Sequence, residues 1–238
     1  MKGNLLKYIL FTIVLAYTSS WSQINLLLSS LGKEKTLITV VEDKQIQQLI
    51  YDKANVDIEK IKISETDKPF GMMVGIPTKP QLILSRNLYD TFTPNEIEYV
   101  VLHEVGHYKL YHSMIELIVG VFLLIIGIIV LRKTVLFPQS LLISLFLGLI
   151  FGVLMIRLGR FHEYQADNFA VKTITDPQGM IKATNKFRNF HGKKYTENKN
   201  KLIQFLFYRG NPYDNRIKMA ETEIETRKLL NLPNSITK

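Results

Sequence analysis

The residues from Leu117 to Leu131 form an unbroken run of fifteen without a polar side chain, and a second run, Leu141 to Ile156, is interrupted only by Ser144. Met114 and Ile115 lengthen the first run, with Glu116 inside it. Neither block has a polar face, so neither matches a helix lying on the surface of a water-soluble domain. Each approaches the ~20 apolar residues that a bilayer-spanning helix needs. A nine-residue basic link, Arg132 to Ser140, joins them. The pair reads as a helical hairpin across a membrane. A pair of buried core helices is the alternative, because each block is slightly short; the missing polar faces argue against it.

A third apolar block lies at the start. Lys2 and Lys7 precede the run Tyr8 to Tyr17, followed by a polar notch, Thr18 to Gln23, and then Ile24 to Leu28. Residues 1–31 read either as a signal peptide cut near Ser20 and Ser22 or as an uncleaved membrane anchor. Residues 32–113, 114–157 and 158–238 then form a polar segment, the hairpin and a second polar segment. In the first, Thr36–Val41 has strand character, and Asp43 to Ala54 spaces Ile46, Leu49 and Ile50 helically. Ile58, Ile61 and Ile63 suggest another strand, and Gly71, Gly75, Pro77 and Pro80 punctuate a loop or hairpin before a short strand at Gln81–Ser85. Thr93-Pro94-Asn95-Glu96 has the form of a capping box with proline at the first helical position, opening a helix expected to run through His112. Beyond the hairpin, helix is expected from Arg157 to Asn189 with a break at Pro177-Gln178-Gly179. A polar stretch, an apolar run at Leu202–Phe207 and a charged helix from Pro212 follow.

The first helix carries His103-Glu104-Val105-Gly106-His107. Residues four apart share a helix face, so both imidazoles can reach one ion. Glu104 can reach a water on that ion but not the ion itself, which suits it to accept the water's proton. Two histidines leave zinc short of a ligand, and with no cysteine the third must be a histidine or a carboxylate. His112 lies about 140° around the helix from His107 and points elsewhere. After the hairpin, Glu163 and Asp167 stand four apart in Arg160-Phe161-His162-Glu163-Tyr164-Gln165-Ala166-Asp167. Glu163 is the expected third ligand, and Asp167 the acceptor that fixes a ligand histidine's tautomer. Small Ala166 would allow close helix approach. Alone, such a pair is an ordinary solvated helix face; the upstream motif is what makes it a ligand.

These motifs together resemble the HtpX and CAAX-prenyl-protease family of integral-membrane zinc metallopeptidases. The likeness rests on Leu82-Ile83-Leu84-Ser85, the H-E-x-G-H helix, the hairpin, and Arg160, Glu163, Ala166, Asp167 and Ala170, and covers roughly residues 70–217. It implies a mainly α, α+β fold: a helical metalloprotease core with a small β-sheet and the hairpin inserted between the metal motifs. It implies an endopeptidase with one Zn2+ per chain, held by His103, His107 and Glu163, that hydrolyses peptide bonds by a metal-activated water with Glu104 as general base. A later family motif, H-P-P with an arginine four residues on, corresponds here to Gly210-Asn211-Pro212-Tyr213-Asp214-Asn215-Arg216. Arg216 is retained as a catalytic candidate, its guanidinium suited to a carboxylate or a developing oxyanion. The family histidine is replaced by Gly210. The chain also has one apolar block before the motif where HtpX-type members have two. A catalytically weak zinc-binding membrane module that assembles partners is the alternative; the intact Glu104 argues against it.

Expected partners are the lipid bilayer and peptide substrates in extended conformation. Gln81, Leu82, Ile83, Leu84 and Ser85, read as an edge strand beside the zinc helix, are the expected substrate-binding strand. The net charge of +9 is spread along the chain without an aromatic-interleaved basic patch, so nucleic acid is not expected. Lys2 and Lys7 favour a cytoplasmic start, and Arg132 and Lys133 a cytoplasmic link. That pattern places the metal site of this integral membrane protein on the non-cytoplasmic face of the cell membrane. Lys109, Arg157 and Arg160, and the HtpX-type relatives, weigh the other way.

Overall fold

The computed structural model describes Tyr8 and residues 38–58, 60–76, 79–133, 139–191 and 200–230. Apart from Tyr8, the N-terminal block expected at 1–31 lies outside the described residues. So do Pro77, most of the link and the polar stretch 192–199. The chain divides into two compact units. One comprises Thr36–Tyr111, His162–Lys199 and Gly210–Lys238; the other comprises Met1–Lys35, His112–Phe161 and Asn200–Arg209.

The first unit carries the sheet. Strand β1 (Ile38–Val41) leads to helix α1 (Lys44–Ala54). Asp43 Oδ1 accepts the backbone N–H groups of Gln45 at 3.0 Å and Ile46 at 3.1 Å, donors that a helix start leaves unpaired. Asn55 ends the helix at φ 51°. Ile46, Ile50 and Ala54 recur at every fourth position and are buried. Strands β2 (Ile61–Ser64), β3 (Gly71–Ile76) and β4 (Lys79–Ser85) complete a mixed sheet in the order β1-β2-β4-β3. Ile61, Ile63, Leu82 and Leu84 are fully buried at alternating positions of paired strands, so one sheet face forms the core.

This order overturns the expected edge strand. β4 is interior: Leu82, Ile83, Leu84 and Ser85 pair in parallel with Ile61–Ser64, while Gln81 to Leu84 pair antiparallel with Val74 to Gly71. With main-chain groups used on both sides, Leu82–Ser85 have none to offer a peptide. Ser85 is committed further, its Oγ accepting Phe70 N–H at 3.0 Å and Leu88 N–H at 3.2 Å. The second of these caps helix α2 (Arg86–Thr91).

Helix α3 (Pro94–Lys109) begins as its cap predicts, with Thr93 N–H donating to Glu96 Oε2 at 2.7 Å. It stops at Lys109, short of the expected His112, because Tyr111 turns into the left-handed region at φ 55°. Such a conformation costs a side-chain-bearing residue roughly 1–2 kcal/mol. Lys109 Nζ donates to the Ala54 carbonyl at 2.6 Å and fastens this end to α1. Helix α4 (His112–Lys133) starts afresh, and α5 (Gln139–Thr173) runs unbroken from the apolar run Leu141–Ile156 through the Glu163–Asp167 motif. Helices α6 (Gln178–His191), α7 (Lys201–Phe207) and α8 (Tyr213–Leu229) follow. α6 lies hard against the start of α3: a Cβ on Gly179 would stand 2.3 Å from the Asn95 carbonyl oxygen. Buried Glu98 Oε1 accepts Thr175 N–H at 2.9 Å, closing the turn between α5 and α6.

The second unit is apolar outside as well as inside. Leu123, Leu131, Phe151 and Met155 pack together, while Leu117, Phe122, Leu142 and Phe146 are all more than 60% exposed. α4 and the run of α5 from Leu141 are long and apolar enough to cross a membrane.

The contact at Gly179 predicts that Gly179→Ala costs about 1–3 kcal/mol, because the added methyl meets backbone that cannot swing aside. Gly210→Ala has nothing within 4 Å of the new methyl and is expected to be neutral. Thermal unfolding of the detergent-solubilised variants separates the two; equal midpoints would refute the close approach.

Candidate metal centre

His103 and His107 project from one face of α3, one turn apart, and Glu163 faces them from α5. His103 Nε2 and His107 Nε2 are 3.2 Å apart. Glu163 Oε2 is 3.5 Å from His103 Nε2, and Glu163 Oε1 is 3.5 Å from His107 Nε2. Two ligands at zinc's usual ~2.0–2.1 Å, held at a tetrahedral angle, lie roughly 3.4 Å from each other. Each separation is of that size, with one Glu163 oxygen facing each imidazole, so the three side chains converge as ligands of one ion would. Among the described residues this is the group of His and carboxylate side chains that could hold a metal. The donor set, two imidazoles and a carboxylate without thiolate, suits zinc.

The backbone makes this convergence possible. A Cβ on Gly106 would stand 3.2 Å from Ala166 Cα and 3.3 Å from its carbonyl oxygen. Glycine in α3 opposite alanine in α5 lets the two helices meet backbone to backbone. The expected role of Ala166 is thus seen together with its partner, Gly106.

Asp167 lies one turn beyond Glu163 and has no exposed surface. Its Oδ1 is 2.8 Å from His103 Nδ1 and accepts the Tyr99 hydroxyl at 2.8 Å. Its Oδ2 accepts Asn211 Nδ2 and Arg216 Nε, each at 2.8 Å. Asn211 is oriented in turn by Asn215 Nδ2, which donates to its Oδ1 at 2.7 Å. Arg216 Nη2 donates to Glu163 Oε2 at 3.0 Å. Arg216 is thus no surface arginine: its largely buried guanidinium holds two site carboxylates.

The electrostatics favour a cation. Burial disfavours a charged His103, yet the Asp167 carboxylate, with Glu163 behind it, outweighs that and pushes its pKa up to about 10. Positive charge is drawn to the point where the three donors converge. Burial also raises Glu104, to about 7, opposed by the charge at His103 and by a hydrogen bond from the Met73 backbone, and reinforced by Glu163. Glu104 lies beside β3: a Cβ on Gly71 would meet Val100 Cγ1 at 2.8 Å and Glu104 Cγ at 3.3 Å. β3, rather than β4, is the strand against the motif helix.

Three participants escaped the sequence reading. Tyr99 stands four residues before His103, so its place on the metal face was available from helical spacing. Asn211 lay inside a motif read only for Gly210 and Arg216. Gly71 marks loop punctuation in the sequence, yet it opens β3, where its missing side chain leaves room for Glu104.

If Asp167 holds His103 in place, Asp167→Ala should weaken zinc binding by ~10–100-fold. Tyr99→Phe removes one of several bonds to that carboxylate and should weaken it by roughly threefold to tenfold. Competition against a chelator measures both, and wild-type affinity in Tyr99→Phe would show that the phenol only fills space.

Known proteins place the chain in context. The family model described as peptidase family M48 matches residues 41–224. The chain is 26% identical over 174 residues to a protein named Protease HtpX homolog from Dictyoglomus turgidum (strain DSM 6724 / Z-1310), a match covering 65% of this chain and 54% of that protein. It thus spans about half the length of that curated relative. Among solved structures, the crystal structure of S. mikatae Ste24p is similar in fold, with a TM-score of 0.62 and 19% identity over 90% of this chain and 57% of that one.

Proposed function

The chain belongs to peptidase family M48, and on that footing we propose that it is a zinc-dependent endopeptidase embedded in the cell membrane. The observation that carries this reading is the convergence of His103, His107 and Glu163: the two Nε2 atoms are 3.2 Å apart, and each lies 3.5 Å from one oxygen of the Glu163 carboxylate. A zinc ion bound there supplies a Lewis acid that polarises a water and the scissile carbonyl.

The protein's own groups do the rest. His103 and His107 present Nε2, and Asp167 holds the opposite edge of the His103 ring. Glu104 adjoins the ligands without being one. It can take a proton from the attacking water and deliver it to the leaving amine. Arg216 keeps the two α5 carboxylates in register. β3 is the sheet edge on the side of α3, and among the described residues no strand pairs with its outer side. A substrate segment in extended conformation can add there by main-chain hydrogen bonds, beside Glu104. The exposed apolar faces of α4 and α5 support membrane embedding, since in water such faces would aggregate.

Glu104→Gln should lower casein cleavage in detergent by about 10²–10⁴-fold while zinc stays at one ion per chain. His103→Ala, His107→Ala and Glu163→Ala should lose metal and activity together. Normal zinc content and turnover in Glu163→Ala would end the three-ligand assignment.

We also read the metal site as facing away from the cytoplasm, on the strength of Lys2 and Lys7 before the N-terminal apolar block and Arg132 and Lys133 in the last turn of α4. Alkaline phosphatase fused after Lys109 should be active and fused at Gln139 inactive. The reverse pattern would put the site on the cytoplasmic side.

A further inference from the structure

The apolar run at Leu202–Phe207 has no part in the chemistry above. It forms α7, and Leu202, Ile203, Phe205 and Phe207 are 63%, 37%, 47% and 70% exposed. A helix of seven residues is about 10 Å long and cannot cross a bilayer. One showing this much apolar surface does not suit water either.

α7 belongs to the same compact unit as the hairpin, and its attachments fall at one end of that hairpin. The Arg157 guanidinium stands over the Phe205 ring, 4.6 Å from its centroid. Arg209 pairs with Glu116 near the start of α4. Its side chain also runs along the backbone of α5 at Gly159, where a Cβ would meet Arg209 Nε at 2.5 Å and Cγ at 2.8 Å. Glu116 and Arg157 bracket the apolar runs of α4 and α5 at the end away from their link. In a spanning hairpin, charges in that position mark headgroup depth. α7 is therefore held against the end of the hairpin away from the link, with apolar side chains outward.

We propose that residues 200–209 form an interfacial membrane element, with Leu202, Ile203, Phe205 and Phe207 inserted in the upper acyl region of one leaflet and Arg157 and Arg209 among its headgroups. The occupant of this apolar surface is lipid, continuous with the lipid around the hairpin. The inference rests on the hairpin spanning the bilayer. Its consequence is that the stretch carrying Asn211 and Arg216 follows a lipid-held anchor after only Gly210.

The chain has no cysteine, so single-cysteine variants report one position each. Leu202→Cys, Phe207→Cys, Phe146→Cys on the hairpin and Tyr51→Cys on α1 are labelled with a small fluorophore. The full chain is then reconstituted in phosphatidylethanolamine–phosphatidylglycerol vesicles. Phospholipid bearing a nitroxide near the top of its acyl chain should quench positions 202 and 207 about twofold or more beyond position 51. Aqueous iodide should quench position 51 and spare them. Lipid quenching at 146 with iodide quenching at 202 and 207 overturns the proposal and leaves the spanning hairpin standing. Protection of 202 and 207 from both quenchers means protein contact and also overturns it. Absence of lipid quenching at 146 overturns the hairpin reading and this proposal together.

Discussion

Asp167 is a carboxylate with no exposed surface, and a charge taken out of water is tolerated only when its lone pairs are claimed. Four groups claim them. Tyr99 and His103 come from α3, Arg216 from α8, and Asn211 from the segment just before α8. One side chain thus joins the motif helix, the second metal helix and the C-terminal helix. Glu163, one turn away on α5, inherits its position from the same cluster through Arg216. Removing any partner leaves Asp167 under-paired in a low-dielectric setting, so the effect reaches the ring of His103. The separations among the three donor atoms depend on this arrangement more than on the pliable side chains that carry them.

The parts of the site that were legible in the sequence are those fixed by one helical turn. His103 with His107, and Glu163 with Asp167, are pairs that a 3.6-residue repeat brings to one face whatever surrounds them. The apolar runs were legible because composition alone decides that they carry no polar face. The sheet was not. Strand order depends on pairings between distant segments, and nothing local states which neighbour a strand takes. A hint existed in β4, where Leu82, Ile83 and Leu84 are apolar on both faces, as an interior strand tends to be. The end of α3 was hidden for another reason: it is made by a left-handed tyrosine, where glycine or asparagine would have signalled it. Arg216 was found by resemblance, but its role needed the positions of Glu163 and Asp167, which no spacing supplies.

The two units solve opposite solvent problems with one chain. The sheet-bearing unit buries Ile61, Ile63, Leu82 and Leu84 and keeps its buried acids paired: Glu96 with Lys186 and Glu223 with Arg227. The other leaves many large apolar side chains outward, and pairs Glu116 with Arg209. α5 belongs to both, apolar in its first part and charged in its second, without a proline or a break between them.

The glycine–alanine contact between α3 and α5 has a bearing on which metals the site can accept. Side chains can lean, but two backbones already touching cannot come closer, and the pairing of Asp167 resists their moving apart. The distance from the histidine pair to Glu163 is therefore a fixed gauge. Such a gauge matches ions that bond nitrogen and oxygen at about 2.0–2.1 Å with few ligands, and mismatches calcium, which wants ~2.3–2.6 Å and six to eight oxygens. Selectivity in this centre would then reside less in the affinity of its ligands than in a spacing set by the absence of side-chain carbon at Gly106.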